Sequence, residues 1–174
     1  MVPALIVATL ILLNGLFVAA EFAIVGSPRQ AIQRLARKGS RLARMVQRVL
    51  RDARETDRYI ATAQLGITSA SLALGMYGEH ILAEWLAHRL DALGDLRFVS
   101  AHAIASIAAV AFLTYLHVVI GEMVPKSLAL QAPASVAMAV ALPMRIVELT
   151  LNPLVIALNG IGNGLLRIVG VHRT

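Results

Sequence analysis

The residues of this chain best placed to do chemistry are an acid, a proline and a base at the end of a long apolar run. Gly121-Glu122-Met123-Val124-Pro125-Lys126 follows an apolar stretch that begins near Val99. Pro125 has no N–H and its ring clashes with the carbonyl four residues back, so it predicts a helix break that leaves the Gly121 C=O without a helical partner. A bare carbonyl beside a carboxylate is a ligand pair for a hard cation such as magnesium or calcium, which take oxygen ligands. Ionisable groups at membrane depth are expensive and mark function by default. The bland alternative is an i,i+4 ion pair between Glu122 and Lys126, in the favourable acid-then-base order. Pro125 weakens that alternative by interrupting the helix between the two charges.

Other residues could complete such a site. Gln64, Thr68, Ser71 and Gly75 follow spacings of 4, 3 and 4, which place them on one helix face. Two readings stand: a ligand face for a cation, or a small-residue stripe that lets helices pack closely. Thr62 and Ser69 lie on other faces, and a local distortion would recruit Ser69. Asn14 and Glu21, seven apart, share a face. Glu21 is the one formal charge in the first 25 residues. It therefore faces a protein interior or a water-filled cavity, or pairs with a polar group of a neighbouring helix. Ser27 precedes Pro28, a pattern that predicts a helix cap with proline at the first helical position. Ser27 is also expected at the same level as Glu122, and so could serve both purposes. The five histidines, His80, His88, His102, His117 and His172, show no HExxH or other ligand spacing and read as hydrogen-bonders. Without a nucleophile elbow, a phosphate-binding glycine loop or a carboxylate pair spaced for hydrolysis, the chain is not expected to be an enzyme.

The elements that must position these residues follow from composition. Of 174 residues, 58% are hydrophobic and 15% charged, and the mean hydropathy is +0.74. This predicts an all-α integral membrane protein. Spans are expected over about 2–26, 59–77 and 98–120, the first retained because no basic segment precedes its apolar run. Residues 29–58 hold ten of the sixteen Lys and Arg against three acids, a local net of +7. Such a run between two spans predicts a cytoplasmic, headgroup-facing stretch rather than a nucleic-acid surface. Apolar residues at helical spacing and a Gly39-Ser40 break predict two amphipathic helices over about 29–56. The mildly acidic 79–97 stretch suits the outer side. Prolines and charges interrupt 134–171, which reads as a belt of juxtamembrane helices rather than a fourth crossing. The N-terminus is then outside and the C-terminus cytoplasmic. The absence of cysteine excludes disulfides and thiolate metal sites.

Three ordered motifs resemble the transmembrane domain of the CorC/CNNM (cyclin M) family of magnesium transporters. They are Leu13-Asn14-Gly15-Leu16-Phe17-Val18-Ala19-Ala20-Glu21-Phe22-Ala23, then Gln64-Leu65-Gly66-Ile67-Thr68 through Gly75 to Gly78-Glu79, then Gly121-Glu122-Met123-Val124-Pro125-Lys126-Ser127. The resemblance implies a multi-pass homodimer in the cell membrane, with three spans and a juxtamembrane belt per subunit. It also implies a dehydrated Mg2+ near the cytoplasmic side, held by Ser27, by Thr68 or its neighbours Ser69 and Ser71, and by Gly121 and Glu122. Export in the family is sodium-coupled, which gives Asn14, Glu21 and Gln64 a place in a Na+ pathway. Members usually continue into cytosolic CBS modules that bind nucleotide, and no ATP site is expected within these 174 residues.

Three functions are therefore carried forward. One is Mg2+ export by alternating access, and the second is a Mg2+-sensing membrane scaffold that binds without transport. The third is a membrane-active lytic protein, suggested by the basic amphipathic segment.

Overall fold

The structure is a computed structural model that describes residues 2–78, 80, 81, 84 and 99–168. Within these residues every regular element is helical. The 79–97 stretch, apart from three positions, lies outside the described residues, as do residues 169–174, His172 included; the side chains of His88 and His102 are not described either. Helix α1 is Val2–Gly26. After a two-residue link come α2, Arg29–Arg37, and α3, Arg41–Arg51. Helix α4, Ala53–Ala73, continues as a π turn over Leu74–Gly78. Helix α5, Val99–Leu116, runs into a π segment, His117–Met123, and then into α6, Val124–Gln131. Helix α7 is Pro133–Ile168.

The hairpin of α2 and α3 forms where glycine and serine demand it. Gly39 has φ +96, the left-handed region that glycine enters without a Cβ penalty. Its N–H donates to Ala36 C=O at 3.1 Å and the Ser40 N–H to Leu35 C=O at 3.3 Å, the double bond of a Schellman ending. Ser40 then caps α3, its side chain accepting from the Ala43 N–H at 3.2 Å. Asp52 caps α4 in the same manner, accepting from Arg54 N–H at 2.9 Å. Thr56 Oγ1 donates back to Val49 C=O at 2.7 Å and so ties the end of α3 to the start of α4.

Side-chain pairs fix how the long helices run. Gln64 meets Glu21, Gly66 lies against the Phe17 ring, Ser71 meets Asn14, and Gly78 approaches Val7. Helix α4 is therefore antiparallel to α1 along nearly its whole length. The approach at Gly66 is close enough that a Cβ there would sit 2.6 Å from the Phe17 ring. The α5–α6 run is parallel to α1: Leu113 packs with Ile11, Pro125 against Gly15, Lys126 over Phe22. At the bottom Pro133 touches Gly26.

Two expectations about prolines are corrected. Pro125 does not break its helix. The preceding π segment absorbs it, with Val124 N–H donating five residues back to Val119 C=O, and α6 starts with proline in its first turn. A π segment has one residue more than an α turn, so the ladder is re-registered before the missing N–H arrives. The expected belt of short helices over 134–171 is instead the single helix α7, with Pro143 and Pro153 inside it. Proline removes one hydrogen bond from a helix, and packing on neighbouring helices can hold the rest together.

Among the described residues three helices are long and apolar enough to cross a membrane, Ala4–Gly26, Ile107–Gln131 and Pro133–Leu158. The first coincides with the expected span over 2–26 and the second overlaps that over 98–120, whereas Pro133–Leu158 stands where the sequence suggests 59–77. The 59–77 helix is diluted by Thr62, Gln64, Thr68, Ser69 and Ser71, yet it lies beside α1 from Glu21 to Val7 and so covers the same depth. Helix α7 behaves oppositely. Although apolar, its first half stays at the basic end: Pro133 packs on Gly26, and Ala141, Arg145 and Glu148 share a cavity with Ile24, Tyr59 and Val49. A helix turning back along α1 would have carried Glu148 about 20 Å from that end, at 1.5 Å per residue. The main core, around Ile24, Ile32, Val46, Tyr59, Ala137 and Met144, is where the hairpin, the bundle and α7 meet.

Candidate functional site

Three helices bring one polar side chain or carbonyl each to the middle of the bundle. Asn14 of α1 is fully buried. Its Nδ2 donates to Gly121 C=O of the π segment at 3.0 Å, and its Oδ1 accepts from Ser71 Oγ of α4 at 3.2 Å. His117, the first residue of the π segment, places Nε2 3.5 Å from the same Ser71 Oγ. Pro125 has no N–H to offer the carbonyl four residues back, and the Gly121 carbonyl accepts the Asn14 amide. A buried carbonyl still needs a donor, and the Asn14 amide supplies one.

Glycine at 121 is a steric requirement. A Cβ there would lie 2.9 Å from His117 Cδ2 and 3.3 Å from Asn14 Nδ2. Gly15 serves the same layer from α1, since a Cβ there would meet the Pro125 ring at 3.0 Å. Small residues at these crossings let the polar groups approach to hydrogen-bond distance.

Glu122 follows Gly121 and is partly buried. Among the described residues no hydrogen bond or ion pair engages its carboxylate, and the expected alternative of a Glu122–Lys126 pair is not formed. The Lys126 ammonium lies over the Phe22 ring instead, 4.5 Å from its centroid. The ring face holds the cation by its quadrupole while the long stem carries the charge toward a wet surface.

A second polar contact lies about 10 Å nearer the basic end, two helical turns along α1. There Gln64 Nε2 donates to Glu21 Oε1 at 3.2 Å. Thr68, between the two layers, is exposed and its hydroxyl donates to Gln64 C=O of its own helix at 2.9 Å. Ser69 is exposed on another face, and Gly75 has open space around it. The polar face of α4 is thus split: Gln64 and Ser71 meet α1, and the close-packing position is Gly66.

The structure does not bring Ser27 to this site. Thirteen residues of helix separate it from Asn14, about 20 Å. Nor does it cap α2: Pro28 holds the cap position, no side chain caps the helix, and Ser27 Oγ is buried without a hydrogen bond. Asn14 sits twelve residues from each end of α1, so the layer it forms with Gly121 lies halfway along that helix. His117 is the residue that sequence reasoning missed. Its signal was its position four residues before Gly121, on the same helical face.

Chemically, the layer offers oxygens of three kinds, the Gly121 carbonyl, the Asn14 amide and the Ser71 hydroxyl, and the partly buried Glu122 is the next residue after Gly121. Among the described residues no three His, Asp or Glu side chains cluster as a metal site. Such an oxygen-rich, carboxylate-poor set suits a hard cation held partly by neutral dipoles.

Residues 5–174 match the family model described as "Cyclin M transmembrane N-terminal domain". The chain is 38% identical over 156 residues to UPF0053 protein YhdT of Bacillus subtilis (strain 168), covering 90% of this chain and 33% of that protein. It is 34% identical over 164 residues to UPF0053 protein sll0260 of Synechocystis sp., covering 93% of this chain and 35% of that one. The uncharacterized protein Rv1841c of Mycobacterium tuberculosis is 32% identical over 159 residues, 91% of this chain and 44% of the relative. The chain thus spans a third to under a half of the length of these curated relatives. With the family model matched over nearly the whole chain, and with its helices apolar and long enough to cross a membrane, the chain belongs to the CNNM (cyclin M) transmembrane-domain family.

Proposed function

We propose that this domain carries Mg2+ across the membrane, binding the dehydrated ion in the layer of Asn14, Ser71, Gly121 and Glu122. The observation that supports the reading is the Gly121 carbonyl, which accepts from the buried Asn14 amide and is followed in the chain by Glu122, a carboxylate that no described residue pairs. In the described state the amide N–H occupies the carbonyl where a cation would sit. Turning the Asn14 amide over presents Oδ1 in place of Nδ2 and converts a donor–acceptor pair into two oxygen ligands. Ser71 Oγ and the Glu122 carboxylate add to the shell, and water fills the octahedron that magnesium demands.

The basic hairpin sets orientation. With ten of sixteen Lys and Arg at 29–58 the end of α1 near Gly26 is cytoplasmic, and the N-terminus is outside. The ion then binds at mid-depth, where alternating access from either side is geometrically even. Glu21 and Gln64, between the ion layer and the cytoplasmic end, suit a Na+ pathway for coupled export. A homodimer would cover the exposed face of α4 that carries Thr68, Ser69 and Leu72. Cytosolic CBS modules belong to this reading as partners in the longer protein.

Flux decides between transport and sensing. Proteoliposomes containing this chain should exchange Mg2+ at a rate that depends on an imposed Na+ gradient. Mg2+-dependent thermal stabilisation with no flux under any gradient would make the domain a sensor, and dye leakage without ion selectivity would make it lytic.

A further inference from the structure

The α2–α3 hairpin contains a basic cleft that the ion-transport reading does not use. It measures about 330 Å³ and is lined by Arg29, Ile32, Gln33, Gln47, Leu50 and Arg51. Ile32 and Leu50 are buried and form its floor. The four polar side chains come in matched pairs, because Arg29 and Arg51 stand equally far on either side of Ser40, as do Gln33 and Gln47. The antiparallel hairpin therefore sets arginine toward arginine and glutamine toward glutamine around one space.

Two guanidinium groups sharing a cleft repel unless something negative lies between them. No described acid fills that role: neither arginine forms an ion pair among the described residues, and Asp52, next to Arg51, spends its carboxylate on the cap of α4. Two planar guanidiniums and two amide NH2 groups form a set of donors suited to the several oxygens of a phosphate. Position decides which phosphate. Arg29 lies three residues beyond the end of the apolar α1, and Arg51 two residues before α4 begins, so both stand at the end of the hairpin nearest the bundle, with the Gly39 turn at the far end.

We propose that this cleft is a phosphate-binding site for the headgroup of an anionic membrane phospholipid, held between Arg29 and Arg51 with Gln33 and Gln47. A bound headgroup pins the hairpin to the leaflet and neutralises the charge concentrated beside the core that α2, α3 and α7 share.

The test uses the whole purified chain and reads thermal melting and binding. Inorganic phosphate at matched ionic strength is one probe. Phosphatidylcholine vesicles with and without phosphatidate are the other. Phosphatidate should raise the melting temperature of the parent, and Arg29→Gln/Arg51→Gln should weaken that binding by at least about tenfold, as expected for loss of charge-assisted hydrogen bonds. Arg34→Gln/Arg44→Gln removes the same charge elsewhere on the hairpin and should keep the response. Equal loss in both double variants overturns the site in favour of diffuse attraction. Gln33→Glu keeps both arginines and places a fixed anion between them, so it should melt higher than the parent without phosphate and lose the response to it. A Gln33→Glu chain that responds like the parent overturns the proposal, as does a parent that responds to neither probe. Equal responses to inorganic phosphate and phosphatidate would establish the phosphate site and reject the lipid as its source.

Discussion

Two polar regions of this molecule treat charge in opposite ways. At the basic end, acids are matched with guanidiniums one helical turn away: Arg58 bonds Glu55 at 2.7 Å and Arg145 approaches Glu148 at 3.5 Å around one small cavity. Halfway along the bundle the Asn14–Ser71–Gly121 layer is made of neutral dipoles, and among the described residues none is paired with the neighbouring Glu122. Burying an ion without a partner costs several kcal/mol, so protein-supplied partners mark permanent structure. On the function proposed above, a carboxylate left without one is where the counter-charge arrives and leaves.

The comparison breaks most sharply at Glu122. Glu122→Ala should abolish Mg2+-dependent stabilisation, which for the parent amounts to about 2.7 kcal/mol at a hundredfold excess over Kd. It should also remove Mg2+ flux, and parent-like stabilisation by magnesium in this variant would move the ion elsewhere. Asn14→Leu should follow, costing about 2–4 kcal/mol in denaturant unfolding because it strands the Gly121 carbonyl and the Ser71 hydroxyl in the core. Gly121→Ala acts on the same layer through bulk. With His117 and Asn14 both in the way of its Cβ, it should cost about 1–3 kcal/mol and raise the Mg2+ concentration needed for half-maximal stabilisation.

At the basic end the expected effects are on stability alone. Arg145→Gln leaves Glu148 buried with its nearest guanidinium removed and should cost about 2 kcal/mol, with the magnesium response unchanged. A changed magnesium response would show that the two regions are coupled. The smallest effect belongs to Lys126→Met, about 0.5–1 kcal/mol for the lost contact with the Phe22 ring. A much larger loss would mean that Lys126 reaches Glu122 in another state of the protein.

Much of this was legible in the residues. The uniform apolarity of α1, the alternation of arginine with Ile32, Val46 and Val49, and the Gly39-Ser40 break each name a helix or its end through local rules. The missing donor four residues beyond the Gly121 carbonyl was legible too, since a missing N–H is a property of proline alone. The partner of that carbonyl was not. Asn14 lies 107 residues away in sequence, and only helix packing sets Asn14, rather than Ser27, opposite Gly121.

Sequence by itself therefore determined the solvent of this protein, its helices, the concentration of positive charge between α1 and α4, and the residue types able to hold a hard cation. Those follow from side-chain hydration and from backbone hydrogen bonds that close within a few residues. Only the tertiary structure decided which polar groups share a layer, that Pro125 is absorbed by a π segment, and that the first half of the apolar α7 lies across the end of the bundle while the more polar α4 runs its length. These outcomes depend on contacts between distant segments, where close packing at Gly15, Gly66 and Gly121 selects one register of helix against helix.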